Sequence, residues 1–600
     1  MSWVKESGPM WHAALSIPFF MMVSYYVPSV IFSGWDAFVP SAFIADYVFF
    51  LSLAAFALLA PGPSVLYCIA LYIAIIIPSA ISSAYTAMFM QAPDAQAFNF
   101  LWETNAMETL EFLGEIVRER VRVVIFSLIF SSLLLVVLIE FVLRALRKLP
   151  GTKSLSRTVA ALFSAAIAVA LCRYGGADSN VAFRFYSTLT RHFSDLKMVG
   201  KLADSAKERM AAECVLGPSV PGRMETYVVV IGESASRHHL SVYGYPRITD
   251  PLMSQLVTAG EAAAFNNVSA TSVGTRDSLM RAMTFMDQHT GLTGTKFSIV
   301  DVLNAAGFKT WWLSNNADMK RGSVLQFLSA NADIRRFIAQ TKIDLDMMRT
   351  GADDEESRME IKKDELPLSF DGELLEWYED ALRSDEPRKV IFVHLRGSHV
   401  KYWYRYPSGF GYFSGRDGIR MEKSMSDVEI TVVNDYDNSI RYTDYILSEL
   451  TKGLRNMGGY SWLLYFSDHG EEVYDFEFEM RFGRNPSRIS KYMLDVPVIL
   501  WTSDEYRKNS DTSALKEYAD RPYELDGMIH TIIDLANIDT PLLDKTKSLV
   551  SEFYRMPARI LFNPQKMTYL SVEPRDLLNL KTSEEERRLS ETAALSSPRN

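Results

Sequence analysis

Cysteine is nearly missing from this chain: three residues in 600, Cys68, Cys172 and Cys214. So few thiols cannot build a disulfide framework or a thiolate zinc site, and Cys68 and Cys172 sit in apolar segments, as small buried hydrophobes do. Any metal must be held by oxygen and imidazole. An excess of basic residues is also absent. With 62 Lys and Arg against 72 Asp and Glu, the net charge is −10, whereas binding a phosphate backbone calls for a basic face. The charge gives no reason to expect a dedicated nucleic-acid binder. Runs long enough to cross a membrane are missing too, but only after residue 175. The composition, 48% hydrophobic, averages an apolar first part with a remainder of ordinary globular character. Neither a small single-core protein nor a wholly membrane-embedded one fits.

About five stretches, near 10–32, 38–60, 64–84, 121–143 and 157–174, approach the roughly 20 apolar residues a helix needs to span a bilayer. A cleavable signal peptide is not expected, because further spans follow the long first one. Arg144, Arg147, Lys148, Lys153 and Arg157, with no acid among them, put the loop between the fourth and fifth spans on the cytoplasmic side. The 85–117 loop, carrying Asp94, Glu103, Glu108, Glu111 and Glu115, is expected outside. Five spans then place the C-terminal half outside, which in a bacterium is the periplasm or cell surface. Residues 176–222 interleave Phe183, Phe185, Tyr186 and Phe193 with Arg184, Arg191, Lys197 and Lys201, a pattern for helices on the membrane surface or for a linker helix packed on the soluble domain. The tail from 576 to 600, with SEEERR and SSPRN, reads as disordered. That leaves 223–575 for a globular domain.

In that domain short apolar runs alternate with helical patterns: YVVVIGE (227–233), KTWWLS (309–314), VIFVH (390–394), WLLYFSDHG (462–470) and VPVILWTS (496–503). Such runs predict a mainly parallel sheet buried on both faces, whose chemistry gathers at the carboxyl ends of strands. Three of those ends carry unusual polar residues. They are Glu233 with Ser234; His394 with Ser398 and His399; and Asp468 with His469. A carboxylate and an imidazole directly after an apolar strand suit a zinc site. Thr275 follows a glycine and opens a stretch with helical spacing, Leu279, Met280 and Met283, so its hydroxyl stands where a helix N-terminus favours phosphate. On local sequence alone it reads as a plain N-cap threonine. His238 and His239 read as part of a packed or solvated helix face, and the acidic run Asp353 to Glu356 as a solvated loop.

The segments IGESASRHHLSVYGYPRITDP, SVGTRDSLMRAM, LSNNADMK, DGELL, HLRGSHVKYWYRYP and SDHGEEVYD occur in the order and context of the bacterial inner-membrane phosphoethanolamine transferases, within the alkaline phosphatase and sulfatase superfamily. The chain resembles that family over essentially its whole length. The resemblance implies an N-terminal transmembrane bundle of about five helices over 1–175, followed by an α/β alkaline-phosphatase/sulfatase-like periplasmic domain with a mainly parallel sheet. It also implies that Glu233, Thr275, Asp468 and His469 hold a catalytic zinc ion, with Thr275 the nucleophile that becomes phosphoethanolamine-modified. Asn316, Lys320 and His399, and less specifically His394, match positions that contact the phosphoryl or ethanolamine group or a second zinc ion. One Zn²⁺ site is expected and a second is left open. The implied partners are phosphatidylethanolamine as donor, the surrounding membrane lipid, and an envelope glycan as acceptor.

Two departures bear on that acceptor. No histidine follows SDHGE in the stretch 474–497, where the lipid A branch of the family usually has one. Three cysteines also cannot supply the disulfides common in that branch. SDHGEEVYD followed by FGRN is closer to the branch acting on lipopolysaccharide core heptose or on periplasmic glucans. The alternatives are transfer to lipid A, glycerophosphate transfer and phosphodiester hydrolysis on the same fold. Sulfatase chemistry is disfavoured because Thr275 stands where those enzymes need a cysteine or serine.

Overall fold

Strict alternation of side chains along fully apolar strands gives this protein two cores, one on each face of a single sheet. The computed structural model describes residues 224–287, 297–316, 324–338, 369–419, 425–475, 482–484, 489–510 and 512–555, the strands 559–563 and 568–572, and position 190. The chain divides into two compact units, Met1–Asp195 and Leu196–Asn600, and every described residue except 190 belongs to the second. The five expected membrane spans, nearly all of 176–222, the acidic run and the polar tail lie outside the described residues. Among the described residues no helix is long and apolar enough to cross a membrane.

The sheet has seven strands: β1 (Glu225–Gly232), β2 (Ala262–Phe265), β3 (Lys309–Ser314), β4 (Ile334–Phe337), β5 (Arg388–His394), β6 (Tyr460–Ser467) and β7 (Val498–Thr502). Their spatial order is β2-β7-β6-β1-β5-β3-β4. Tyr227, Val229 and Ile231 of β1 share one core with Phe392, Leu464 and Phe466. Val228 and Val230 point to the other face and join Ile391, Val393, Leu463 and Tyr465. Each such side chain, fully buried, contributes roughly 1.5–3 kcal/mol.

Five neighbouring strands, from β6 across to β4, are parallel. The sheet is mainly parallel, as expected, except at the other edge, where β7 alone is reversed and runs antiparallel to both β6 and β2. The sheet is mixed. β7 follows β6 in the chain as its antiparallel neighbour, a return that requires no crossover helix. The carboxyl end of VPVILWTS therefore lies away from the other strand ends that carry polar residues.

Helices α1 (Pro251–Thr258), α2 (Thr275–Ala282), α3 (Leu374–Arg383) and α4 (Asp427–Met457) cover this sheet. Leu279, Met280 and Ala282 of α2 enter one core; Leu374 and Tyr378 of α3, with Ile446, Leu450 and Leu454 of α4, enter the other. The buried Lys389 ammonium at the start of β5 donates to the carbonyls of Ala381, Leu382 and Ser384, closing the last turn of α3 where a cation is favoured. Ser426 and Glu429 form a capping box at the start of α4, which fixes where that helix begins.

The first half of α4 carries Asp437 into a buried ionic network. Its carboxylate accepts from Arg247 Nη1 at 2.8 Å and Tyr245 Oη at 2.9 Å, and lies 2.7 Å from His239 Nδ1. His239 Nε2 reaches Asp475 at 3.1 Å, so one imidazole joins α4 to the segment that follows SDHG. Burial disfavours its charge, but Asp475 and Asp437 outweigh burial and raise its pKa to about 9. His238 turns to Asp495 at 2.8 Å. Both histidines are packed, as the sequence suggested. Because folding raises the proton affinity of His239, its stabilisation is complete below about pH 6.5, the ordinary value, and disappears as the pH rises through about 9. The shift corresponds to on the order of 3 kcal/mol. Melting temperatures of the full chain in detergent should fall between pH 6.5 and 9, and His239→Gln should be less stable at pH 6.5 with a flatter dependence. Parallel profiles would show that the imidazolium does not clamp these segments.

Candidate active site

Register brings the strand ends together. Ile231 of β1 is level with His394 of β5 and Phe466 of β6, and Gly232 with Ser467, so the residues that follow emerge side by side. Glu233 comes from β1, His394 from β5, and Asp468 with His469 from β6. Ligand atoms of Glu233, Asp468 and His469 all lie within 4.8 Å of one another, and all three side chains are buried.

Thr275 completes the cluster. Gly274, not Thr275, is the N-cap of α2, and no side chain caps this helix. The plain N-cap reading is therefore wrong. As the first helical residue, Thr275 directs its hydroxyl sideways to Glu233 Oε2 at 3.1 Å and to His469 Nε2 at 3.3 Å. Ser278 on the same helix donates to the Asp468 carbonyl, fixing α2 against the β6 loop.

Tight backbone contacts hold each group. His469 Nδ1 lies 2.8 Å from the Gly470 carbonyl, which requires the proton on Nδ1 and turns Nε2 toward the acids. A Cβ on Gly470 would overlap the Tyr492 carbonyl, so this turn accepts only glycine. Ser234, in the left-handed region with φ 56°, donates its amide to Asp468 Oδ1 at 3.1 Å and its hydroxyl to Glu233 Oε1 at 2.9 Å. Strain of this kind persists where surrounding contacts over-determine it.

Burial and mutual repulsion set the charges. Burial, then the charge of Glu233, pushes the Asp468 pKa up to about 7. Glu233 goes the other way. Burial alone would raise it, but hydrogen bonding and attraction from His469, whose proton Asp468 and Glu233 in turn favour, with help from Arg484, hold it well below the ordinary carboxylate value. Asp468 Oδ2 is buried without a hydrogen-bond donor. Two carboxylates, an imidazole nitrogen and a hydroxyl, crowded together with an unsatisfied oxygen, match the ligand chemistry of zinc.

Two more imidazoles stand beside the cluster. His394 Nδ1 is 3.0 Å from Ser314 Oγ and 3.2 Å from Asn316 Nδ2, while its Nε2 is buried without a partner. Burial lowers the His394 pKa to about 4. His399 Nδ1 is likewise buried without a partner, and burial keeps this ring neutral as well. Asn316 thus anchors His394. Lys320 lies outside the described residues.

Sequence reasoning missed two contributors. Asp371, in the DGELL segment, is buried and accepts from Asn315 Nδ2 at 2.8 Å, the Arg396 amide at 2.8 Å and the Gly397 amide at 3.0 Å. It thereby fixes the turn before His399. Gly397, with φ 50°, packs so closely that a Cβ would sit 2.8 Å from the Glu233 carbonyl oxygen, and the next amide, Ser398, donates to that oxygen at 2.9 Å. The other is Arg484, whose Nη1 lies 2.6 Å from His469 Nε2. Asp371 belongs to a recognisable segment, but its spacing carries no chemical signature. Arg484 had only the absence of a nearby histidine to point to it.

Such a set of groups, at the carboxyl edge of an α/β sheet, suits metal-assisted chemistry on a phosphate or sulfate ester. The family model described as Sulfatase matches residues 225–538, about half of the chain, and the chain belongs to that family. Within it, the chain is 32% identical over 348 residues to the phosphoethanolamine transferase EptC of Escherichia coli, a match covering 58% of this chain and 56% of that protein. The matched region thus spans little more than half the length of that relative. The crystal structure of the C-terminal periplasmic domain of E. coli EptC in complex with Zn is 31% identical with a TM-score of 0.54, covering 61% of this chain and 97% of that chain. The integral membrane protein lipooligosaccharide phosphoethanolamine transferase A of Neisseria meningitidis has the same fold, at 19% identity and a TM-score of 0.60, covering 89% of this chain and 98% of that chain.

Asp371→Ala would leave three buried donors unsatisfied at roughly 1–3 kcal/mol each. We expect a lower melting temperature and, because the turn rests on the Glu233 backbone, weaker zinc retention on dialysis. Unchanged zinc retention would show that Asp371 supports the fold alone.

Proposed function

We propose that this protein is a zinc-dependent phosphoethanolamine transferase that takes its donor group from phosphatidylethanolamine. The observation that carries this is the Thr275 hydroxyl, turned from capping its helix toward Glu233 and His469 at 3.1 and 3.3 Å. The similarity to EptC supports the same reading. Glu233, Thr275, Asp468 and His469 would hold the metal, which when bound supplies a Lewis acid that activates a hydroxyl and polarises a phosphoryl oxygen.

The residues carry the reaction in two displacements. Thr275 gives its hydroxyl proton to Glu233 as its oxygen bonds to phosphorus. The phosphorus–oxygen bond to diacylglycerol breaks, and that oxygen leaves with the bonding pair and takes a proton from water. Phosphoethanolamine is now on Thr275. An acceptor hydroxyl then bonds to phosphorus and gives its proton to water, the Thr275 ester breaks, and Thr275 recovers a proton from Glu233. The N-terminal end of α2, with its favourable dipole, meets negative charge on the phosphoryl oxygens. Neutral His394 and His399, with Asn316 and Lys320, suit contacts to the phosphoryl or ethanolamine group.

In this reading residues 1–175 anchor the chain in the bacterial inner membrane by about five helices, 176–222 link the anchor to the catalytic domain, and 223–575 work in the periplasm. A lipid donor makes sense of such an anchor. The acceptor is lipopolysaccharide core or a periplasmic glucan, in keeping with the missing histidine after SDHGE.

Intact-mass analysis of the full chain in detergent, incubated with phosphatidylethanolamine and zinc, tests the proposal. A phosphoethanolamine adduct is expected on the unaltered chain and not on Thr275→Ala. No adduct at any zinc concentration would sink it. Mass spectrometry of lipopolysaccharide and glucans from cells with and without the gene tests the acceptor; a change confined to lipid A would contradict our assignment.

A further inference from the structure

We propose that Arg484 binds the transferring phosphoryl group and that Glu471 orients its guanidinium for that task. The proposal rests on the transferase reading above and assigns a residue within it.

Arg484 reaches the site by a short ribbon. The strand Phe482–Gly483 pairs antiparallel with Glu472–Val473, directly after SDHG, so Glu471 and Arg484 lie on opposite arms. Gly483, with φ 84°, faces Glu471 and turns the chain inward. The Arg484 side chain is only 8% exposed, with Nε 3.5 Å from Glu471 Oε2. Its Nη1 lies 2.6 Å from His469 Nε2 and 3.4 Å from the Val273 carbonyl, in the turn that leads into Thr275.

One atom relates this guanidinium to the nucleophile. His469 Nε2 is 3.3 Å from Thr275 Oγ1 and 2.6 Å from Arg484 Nη1, so the two groups flank a single ring nitrogen. A phosphorus atom attacked by Oγ1 would carry its non-bridging oxygens beside the guanidinium. A planar guanidinium fork fits two such oxygens better than it fits a single imidazole nitrogen. Charge points the same way. Glu233, Asp468 and Glu471 are buried acids around the place where an anionic phosphodiester must arrive, and a fixed cation there offsets their repulsion. Were His469 to hold a metal through Nε2, the guanidinium would give up that contact and keep its ion pair with Glu471. Throughout the transfer Arg484 keeps its protons; the bonds made and broken are those described above.

The test uses the full chain in detergent, loaded with zinc and mixed with phosphatidylethanolamine, as Arg484→Ala, Arg484→Lys and Glu471→Gln. Three readouts are needed: the rate of Thr275 adduct formation, bound zinc, and melting temperature. We expect Arg484→Ala to keep its zinc and its melting temperature while adduct formation slows by on the order of 10²–10³-fold, the usual effect of losing one oxyanion donor. Added guanidinium chloride at non-denaturing concentration should restore part of the Ala variant's rate and leave the unaltered chain unmoved. Lys should fall between the two, and Glu471→Gln should slow the reaction less than Ala does. Adduct formation by Arg484→Ala at the unaltered rate overturns this proposal and leaves the transferase reading standing. Loss of zinc in Arg484→Ala also overturns it, because the residue would then build the metal site. Absence of adduct on the unaltered chain overturns both readings.

Discussion

The register of three adjacent parallel strands is the constraint on which the site depends. β6, β1 and β5 end level with one another, so three loops leave the sheet at one point carrying Asp468 and His469, Glu233, and His394. A slip of one residue in either pairing would exchange the side chains of the two cores and move a ligand away from its partners. The two cores that stabilise the sheet therefore also assemble the chemistry. Tertiary burial meets the cost of gathering acids in one buried place, and Thr275 is brought to them by a helix packed on one of those cores.

A second set of contacts turns proximity into orientation. The Gly470 carbonyl fixes the tautomer of His469, Ser234 fixes Asp468 and Glu233, and Asp371 fixes the turn that leans on Glu233. Most of these partners are backbone amides or carbonyls, which move little once the fold forms. The ionic network around His239 extends this to the segment after SDHG, the same segment whose ribbon delivers Arg484. Binding, orientation and charge compensation thus come from loops, while the sheet provides only their common origin.

The sequence made a particular part of this legible. Apolar runs such as YVVVIGE and WLLYFSDHG revealed the central strands, and the polar residues ending them revealed Glu233, Asp468 and His469. The direction of VPVILWTS was not legible, because a run buried on both faces reads alike either way. β2 was too short and alanine-rich to register, and β4 alternates too weakly to be separated from a loop. Thr275 was visible as a helix start, but only its neighbours reveal that Gly274 does the capping. Arg484 was hidden because a reversal of the chain, not a fixed spacing, brings it to His469. His394 and His399 could be named as candidates, whereas Asn316 holding the His394 ring depends on β3 lying beside β5.

The central claim is that Glu233, Thr275, Asp468 and His469 form one oxygen-rich metal site with a single imidazole. X-ray absorption at the zinc edge on the zinc-loaded full chain tests it most directly. The account predicts an oxygen and nitrogen shell near 2.0–2.2 Å with outer-shell scattering from one imidazole per zinc. A sulfur shell near 2.3 Å, or scattering from two or more imidazoles per zinc, would contradict it.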